Sequence, residues 1–368
     1  MRPAAVSCSR IDKSYRPDDI EREVRVNALS VDQLFGLYER TGFLYPAKAA
    51  RLLPHLEAVR NNWLRMLETD GSLLYILSSA DDQDGIASIA VWRTTYDSWV
   101  WQHLVCERDP LRSRGVMLGG MARCIRLRLG TSQQNWFRPE NRFPARVFGS
   151  MEDAVGESFA SVRQHMYFAV PRSLPAKRIR SVQVEAYDLS QRQTLCALAA
   201  EARGRLYVTS EELDRDVELA LVDRLYRAAG LRRTRQVWLA YRKGSPHAIG
   251  AALAYRGPLG LNFSFIENRC DLLVSPRLTP AEAADVTTAL MQAAGPAYDD
   301  CALHDIPVVA DQASASALLA CGGDLLRTYC QGIWLEDGQP ALSRYVDSFY
   351  TRLLQREQRH RVASTLTA

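Results

Sequence analysis

Residues 73–95 read LLYILSSADDQDGIASIAVWRTT, and residues 237–256 read VWLAYRKGSPHAIGAALAYR. Each stretch is a pair of apolar runs, rich in β-branched and aromatic residues, around a short polar turn, which is the pattern of a β-hairpin. The first turn is acidic (Asp81, Asp82, Asp84, Gly85); the second spans residues 243–247, from Lys243 to His247. A third strand follows the first hairpin at residues 99–106 (WVWQHLVC), then a helix. After the second hairpin come residues 261–267 and 270–274 (CDLLV) as strands, and again a helix. The same order recurring after about 165 residues predicts two copies of one fold.

Working outward, residues 115–129 form an amphipathic helix with Leu118, Ala122, Ile125 and Leu129 on one face and Arg123, Arg126 and Arg128 off it. In the second copy Thr279-Pro280-Ala281-Glu282 is a capping box with Pro at the first helical position, followed by Val286, Leu290 and Ala293. Each half closes with strand, short helix and strand: residues 135–137, 144–151 and 161–170, then 308–309, 314–321 and 328–335. Helical segments at 47–68, 189–204 and 217–229 precede the hairpins, and 342–361 is a final amphipathic helix. Residues 170–180, with Pro171, Pro175 and a basic cluster, form the junction. The expected division is an N-terminal extension (1–29), two domains (30–172 and 173–338) and a C-terminal helix and tail (339–368).

With 368 residues, 47% hydrophobic and 24% charged, the composition is that of a globular protein and excludes disorder, collagen-like repeats and a small disulfide scaffold. A net charge of +4 is too balanced to point to nucleic acid. Lysine occurs only at positions 13, 48, 177 and 243, so the positive charge is nearly all Arg, as in a GC-rich bacterial proteome. No apolar run is long enough for a membrane span, and the N-terminus has no apolar signal core, so the expected location is cytoplasmic. The eight cysteines contain no C-x-x-C pair and read as reduced, mostly buried thiols; the histidines are isolated, so no metal site is expected.

Arg112-Ser113-Arg114-Gly115-Val116-Met117-Leu118-Gly119 and Asn141-Arg142-Phe143-Pro144-Ala145-Arg146-Val147-Phe148 follow the third and fourth strands of the first copy. The element order and these two segments resemble the GNAT (acyl-CoA-dependent N-acetyltransferase) superfamily, over residues 30–170 and more loosely over 180–336. The first segment resembles the family's R-x-x-G-x-G/A pyrophosphate loop, with Met117 in place of Gly or Ala. The second is similar to its N-x-x-A-x-x-x-Y helix, with Pro144 in place of Ala and Phe148 in place of Tyr.

The resemblance implies two α/β (α+β) GNAT-like domains, each a mixed, mostly antiparallel sheet flanked by helices. It implies acetyl-CoA or another acyl-CoA as co-substrate, held by Val105, Arg112, Arg114, Gly115, Val116, Gly119 and Asn141, with Gly120 leaving room nearby. A helix N-terminus favours an anion, because its first amides are unpaired and the dipole is positive there. The second copy's loop, residues 275–280, has no glycine and two prolines, so that copy is expected to be structural.

Acyl transfer to an amine needs a base, and often a Tyr to protonate the leaving thiolate. His103, sharing a strand face with Trp99 and Trp101, and Glu107 are the candidate bases. Tyr167 is the substitute acid, and Cys106 a candidate acyl-accepting thiol. The bland alternatives are a hydrogen-bonded strand histidine, a solvated turn glutamate, a core tyrosine and an inert thiol. The cluster Arg224, Arg227, Arg232, Arg233 and Arg235 suits phosphate or carboxylate, or is simply solvated.

Three functions compete: an acyltransferase acting on a small-molecule or protein amine, a non-catalytic ligand-binding or protein-interaction protein, and transfer from aminoacyl-tRNA. The near-neutral charge makes nucleic acid the weakest partner. A homodimer is possible.

Overall fold

Both quoted stretches fold as antiparallel hairpins, because alternating apolar side chains can bury both faces of a sheet that helices cover on each side. The computed structural model describes residues 24–81, 85–107, 113–174 and 179–366. The first half runs β1 (Arg25–Val26), α1 (Val31–Arg40), α2 (Pro46–Leu52), α3 (Leu56–Leu67), β2 (Leu74–Asp81), β3 (Gly85–Arg93) and β4 (Ser98–Cys106). It continues with α4 (Ser113–Leu127), β5 (Ser132–Phe137), α5 (Arg142–Phe148), α6 (Met151–Val155) and β6 (Ala160–Pro171). The second half runs β7 (Val182–Ala186), α7 (Arg192–Arg203), α8 (Arg205–Ser210), α9 (Ala220–Ala228), β8 (Thr234–Arg242), β9 (Ala248–Arg256) and β10 (Cys270–Val274). Then come α10 (Pro280–Ala294), β11 (Asp305–Ala310), α11 (Gln312–Ala320), β12 (Asp324–Leu335) and the terminal helix α12 (Gln339–Leu366).

All the strands join one twelve-stranded sheet in the order β1-β2-β3-β4-β5-β12-β6-β11-β10-β9-β8-β7. The halves match strand for strand about the β12–β6 pair, and each contributes its last strand to the other. β12 lies antiparallel between β5 and β6, and β6 lies between β12 and β11. The sheet is mostly antiparallel; β4–β5 and β10–β11 are its parallel pairs. This is a mixed α/β fold made of two copies of one GNAT-like arrangement.

Two cores cover the sheet. One gathers α1, α3 and the helices of the second half; the other gathers α4, α5 and α12. Helix α1 begins at a capping box, Ser30 with Gln33, and buries Leu34, Phe35, Leu37 and Tyr38. The expected helix over 47–68 is interrupted at residues 53–55, where Pro54 has no N–H and its ring displaces the preceding carbonyl. The short strands β1 and β7 and helix α1 were not among the expected elements.

Residues 261–267 are a loop and a 3-10 turn, not the expected strand. Their apolar side chains serve contacts to the first half. Trp63 Nε1 donates to Gly260 O (3.0 Å) and Asn62 Nδ2 to Leu259 O (3.0 Å), while Phe263 is buried among aromatic rings of α1 and α3. Cys124, Cys270, Cys301, Cys321 and Cys330 are buried, and Cys106 and Cys196 half-buried.

Candidate functional site

Strands β4 and β5 pair in parallel from Ser98–Ser132 to Trp101–Asn135 and then diverge. A parallel pair that separates leaves a gap in the sheet, with backbone and side chains facing into it. Gln102 Nε2 spans the mouth of the gap to Trp136 O (3.0 Å). A cavity of about 550 Å³ opens there. Residues 102–106 of β4 and 135–138 of β5 line it, with Asn141 and Phe148 from the α4–α5 side. From the opposite face come Phe43, Tyr45 and Lys48 around α2, Phe263 and Ser264 from the second half's loop, and Arg327 and Tyr329 from β12.

The divergence coincides with a β-bulge. Ser88 faces Val105 and Ala90 faces Gln102, so His103 and Leu104 together oppose Ile89. His103 holds a left-handed backbone (φ 57°), which costs a non-glycine residue about 1–2 kcal/mol. The extra residue reverses the alternation expected from the sequence. His103 does not share a face with Trp99 and Trp101; it joins the α1–α3 face, while Leu104 and Cys106 join the other. Its ring stacks on Phe263 (4.3 Å) and Trp63 (5.6 Å) and meets Tyr38, Phe43 and Trp92 edge-on or tilted. Burial, with the Lys48 charge adding to it, pushes the His103 pKa well below the usual imidazole value. The ring is therefore neutral at pH 7, and its buried Nδ1 has no hydrogen-bond partner.

The remaining candidates are spread around this cavity. Val105 and Asn141 line it; Asn141 caps α5 without a side-chain bond to the helix. Arg112 lies outside the described residues. The described part of helix α4 begins at Ser113, which puts Gly115 and Val116 near its N-terminal end. A Cβ placed on Gly115 meets nothing within 4 Å. The Val116 side chain is fully buried, so only its backbone can face a ligand. Arg114 gives its guanidinium to Asp347 of α12 (2.6 and 3.2 Å), beside a Ser113–Tyr350 hydroxyl pair at 2.7 Å. Gly119 is buried about 9 Å along the helix from its start. Gly120 leaves no room for a ligand: a Cβ there meets Leu77 at 2.7 Å and Trp101 at 3.0 Å, because the helix lies close on the sheet. Met117, where the pattern has a small residue, is buried and lines the cavity.

Glu107 accepts from Arg40 Nε (2.8 Å) and from Ile86 N (3.1 Å), tying α1 to the start of β3, and does not line the cavity. Cys106 lines it, half-buried. Tyr167 is buried on β6, donates to Ser264 O, and has its pKa raised by burial. Its edge-on neighbour Tyr329 (5.4 Å) reaches the cavity and donates to Ser264 Oγ (2.7 Å). Phe148 stacks on Trp334. Lys48, Arg138, Arg327 and Tyr329 were missed by sequence reasoning. They come from three separate segments, α2, the residue after β5 and the distant β12, so no local pattern connects them.

The equivalent gap in the second half is closed. β10 and β11 pair only at Cys270–Val308 and Asp271–Val309. Beyond that point the buried Arg203 Nη2 donates to both Leu272 O and Val309 O (3.2 Å each), with Asp311 3.6 Å from its Nε. Beneath it Glu211 accepts from Arg269 (2.9 Å) and Tyr255 (2.9 Å), and Asp271 from Arg269 (2.8 Å) and Tyr207 (2.7 Å). Two members of the basic cluster belong to this interior rather than to solvent or a ligand: Arg233 pairs with Glu267 (2.7 Å) and Arg235 lies 3.5 Å from Glu211, all buried. The helix that follows spends its first amides on the Thr279–Glu282 capping box.

Among solved structures, the chain is similar to a putative acetyltransferase from Pyrococcus horikoshii. Identity is 10%, covering 88% of this chain and 92% of that one, with a TM-score of 0.44. It is similar to a GCN5-related N-acetyltransferase from Sphaerobacter thermophilus (13% identity, 85% and 96% covered, TM-score 0.42). A tandem GNAT protein from the clavulanic acid biosynthesis pathway also aligns (9% identity, 85% and 99% covered, TM-score 0.40). No protein-family model and no curated protein matches the sequence. Among the described residues no group of side chains is arranged to hold a metal ion, and no helix is long and apolar enough to cross a membrane.

Proposed function

We propose that the protein is an acyl-CoA-dependent N-acyltransferase, with the acyl donor in the first half (30–172) and a structural second half (173–338). The observation that carries this reading is the contrast between the two gaps. The β4–β5 gap opens into a cavity bounded by a bulge and a helix N-terminus, whereas the β10–β11 gap is filled by Arg203. The residues present suit acyl-CoA: the α4 amides at Gly115 and Val116 would face the pyrophosphate, and Val105 and Asn141 would flank the arm that enters the gap.

Bound acyl-CoA supplies an acyl group activated as a thioester. The chain's part is to orient an amine against it, exclude water, and manage two protons. Neutral His103 is able to accept a proton as the amine nitrogen attacks. As the carbon–sulfur bond breaks, a cavity hydroxyl, that of Tyr329 in this reading, substitutes for the tyrosine absent at 148 and protonates the thiolate. A second reading, a non-catalytic binding protein, is favoured by Phe148 and by the aromatic enclosure of His103, whose depressed pKa makes it a weak base.

Calorimetric titration with acetyl-CoA, CoA and desulfo-CoA tests the proposal. Gly115→Glu is the informative variant, because a Cβ there meets nothing within 4 Å and the added negative charge opposes a phosphate. Micromolar binding abolished by Gly115→Glu and retained in Arg277→Glu, together with thiol release on adding amines, is the expected result. No binding by any of the three ligands sinks the reading; binding without thiol release for a broad amine panel selects the non-catalytic one.

A further inference from the structure

The cavity's charge is one-sided. Lys48 on α2, Arg138 just beyond β5 and Arg327 at the irregular point of β12 all line it, and among the described residues no Asp or Glu does. The three cations surround one ring. Lys48 Nζ lies 5.1 Å from the centre of Tyr45, Arg138 lies 5.7 Å from it, and Arg327 Nη1 donates to the Tyr45 hydroxyl (3.1 Å). The nearest carboxylate to Arg138, Glu140, is exposed and 4.0 Å away. Lys48 also sits over Phe43 at 3.8 Å and faces His103, which is neutral. Like charges gathered at a partly dry site repel, and burial with Arg138 and Arg327 lowers the Lys48 pKa to about 8. An anion placed among them would relieve this, and forked guanidiniums suit carboxylate and phosphate alike.

We propose that the acceptor amine carries an anionic group, a carboxylate or a phosphate, seated between Lys48, Arg138 and Arg327. Calling that ligand an acceptor rests on the acyl-transfer reading. Position separates this site from the donor's phosphates. Lys48 sits over Phe43 and Tyr45, and Phe43 packs on the core beneath α1 and α3, while the Val116 side chain of α4 belongs to the core on the other face and Met117 reaches the cavity from there.

The full-length chain has only four lysines, so carbon-13 lysine labelling with Lys48→Arg as the assignment control reads Lys48 directly. Two matched pairs serve as probes: β-alanine against β-alaninamide, and 2-aminoethyl phosphate against ethanolamine. The expected result is that one anionic member raises the Lys48 pKa by about one unit or more, and its neutral partner leaves it unmoved. Arg138→Gln and Arg327→Gln should each weaken that anion at least tenfold while acetyl-CoA affinity stays within twofold, which also reports that the variants are folded. Neutral partners acting as well as the anions, no response to either anion, or CoA itself raising the Lys48 pKa would each overturn the proposal. If an anion raises the pKa while CoA fails to bind, the anion site stands and acyl transfer falls. If CoA binds and neither anion acts, acyl transfer stands and the anion site falls.

Discussion

His103 concentrates the unusual features of the site: a left-handed backbone, a β-bulge, an aromatic enclosure and a proton-accepting ring kept neutral. Asparagine tolerates the left-handed region, so His103→Asn should keep the bulge and lose the base. The expected outcome is a folded protein whose acetyl-CoA affinity is nearly unchanged and whose thiol release falls at least tenfold. Phe263→Ala removes a buried ring from the same enclosure and should cost about 3–5 kcal/mol in urea unfolding. The buried histidines also set a pH dependence. Burial lowers the His165 pKa to about 4, against the opposing pull of its bond to Asp311 (2.9 Å), and lowers that of His103 well below 6.5. With both folded-state values depressed, the unfolded chain binds the protons. Stability is complete above about pH 6.5 and falls as pH drops toward 5, each histidine contributing up to about 1.4 kcal/mol per unit. Unfolding free energies at pH 7.5 and 5.2 should show that loss, and His103→Asn should remove its share.

Helix α4 carries two kinds of glycine, and substitution distinguishes them. Gly115→Ala meets open space and should leave the melting temperature nearly unchanged. Gly120→Ala drives a methyl into Leu77 and Trp101 and should destabilise by about 1–3 kcal/mol. At the other end of the sheet, Arg203 closes the gap that the first half leaves open. Arg203→Leu leaves two strand carbonyls in the interior without their donor and should cost about 1–3 kcal/mol for each, while Asp311, which is partly exposed, stays solvated. Acetyl-CoA affinity, read by calorimetry, should stay within twofold. An Arg203 variant that lost donor binding would show that the second half takes a direct part in the site.

Exchange of β6 and β12 makes the two halves one sheet. A fragment ending at residue 172 would lack the strand that pairs both β5 and β6, leaving two edges unsatisfied. Light scattering should find that fragment aggregated or dimeric rather than monomeric, and urea should unfold the whole chain in a single transition. The same exchange completes the cavity, since Arg327 and Tyr329 reach the β4–β5 gap on a strand from the end of the sequence, and Phe263 reaches it on the second half's loop.

Local chemistry settled much of this fold in advance. The hairpins, the Thr279 capping box, the existence of a helix after β4 and the repeat follow from period, turn residues and caps, all of which act over a few positions. The face of that helix does not, since it buries Val116, Met117, Met121 and Cys124 and leaves Ile125 of the expected face exposed. Met117, Pro144 and Phe148, the departures from the motifs that the sequence resembles, were equally readable. What local pattern could not carry was the face on which His103 lies, because one bulge residue inverts every later side chain. The apolar run at 261–267 likewise took its character from a distant partner, docking as a loop where a strand was expected. Burial of Arg233 and Arg235 depended on carboxylates supplied by other segments. The cation cluster at Tyr45 arises only when α2, the end of β5 and the exchanged β12 meet, so the charge that decides what the cavity can bind is a property of tertiary structure alone.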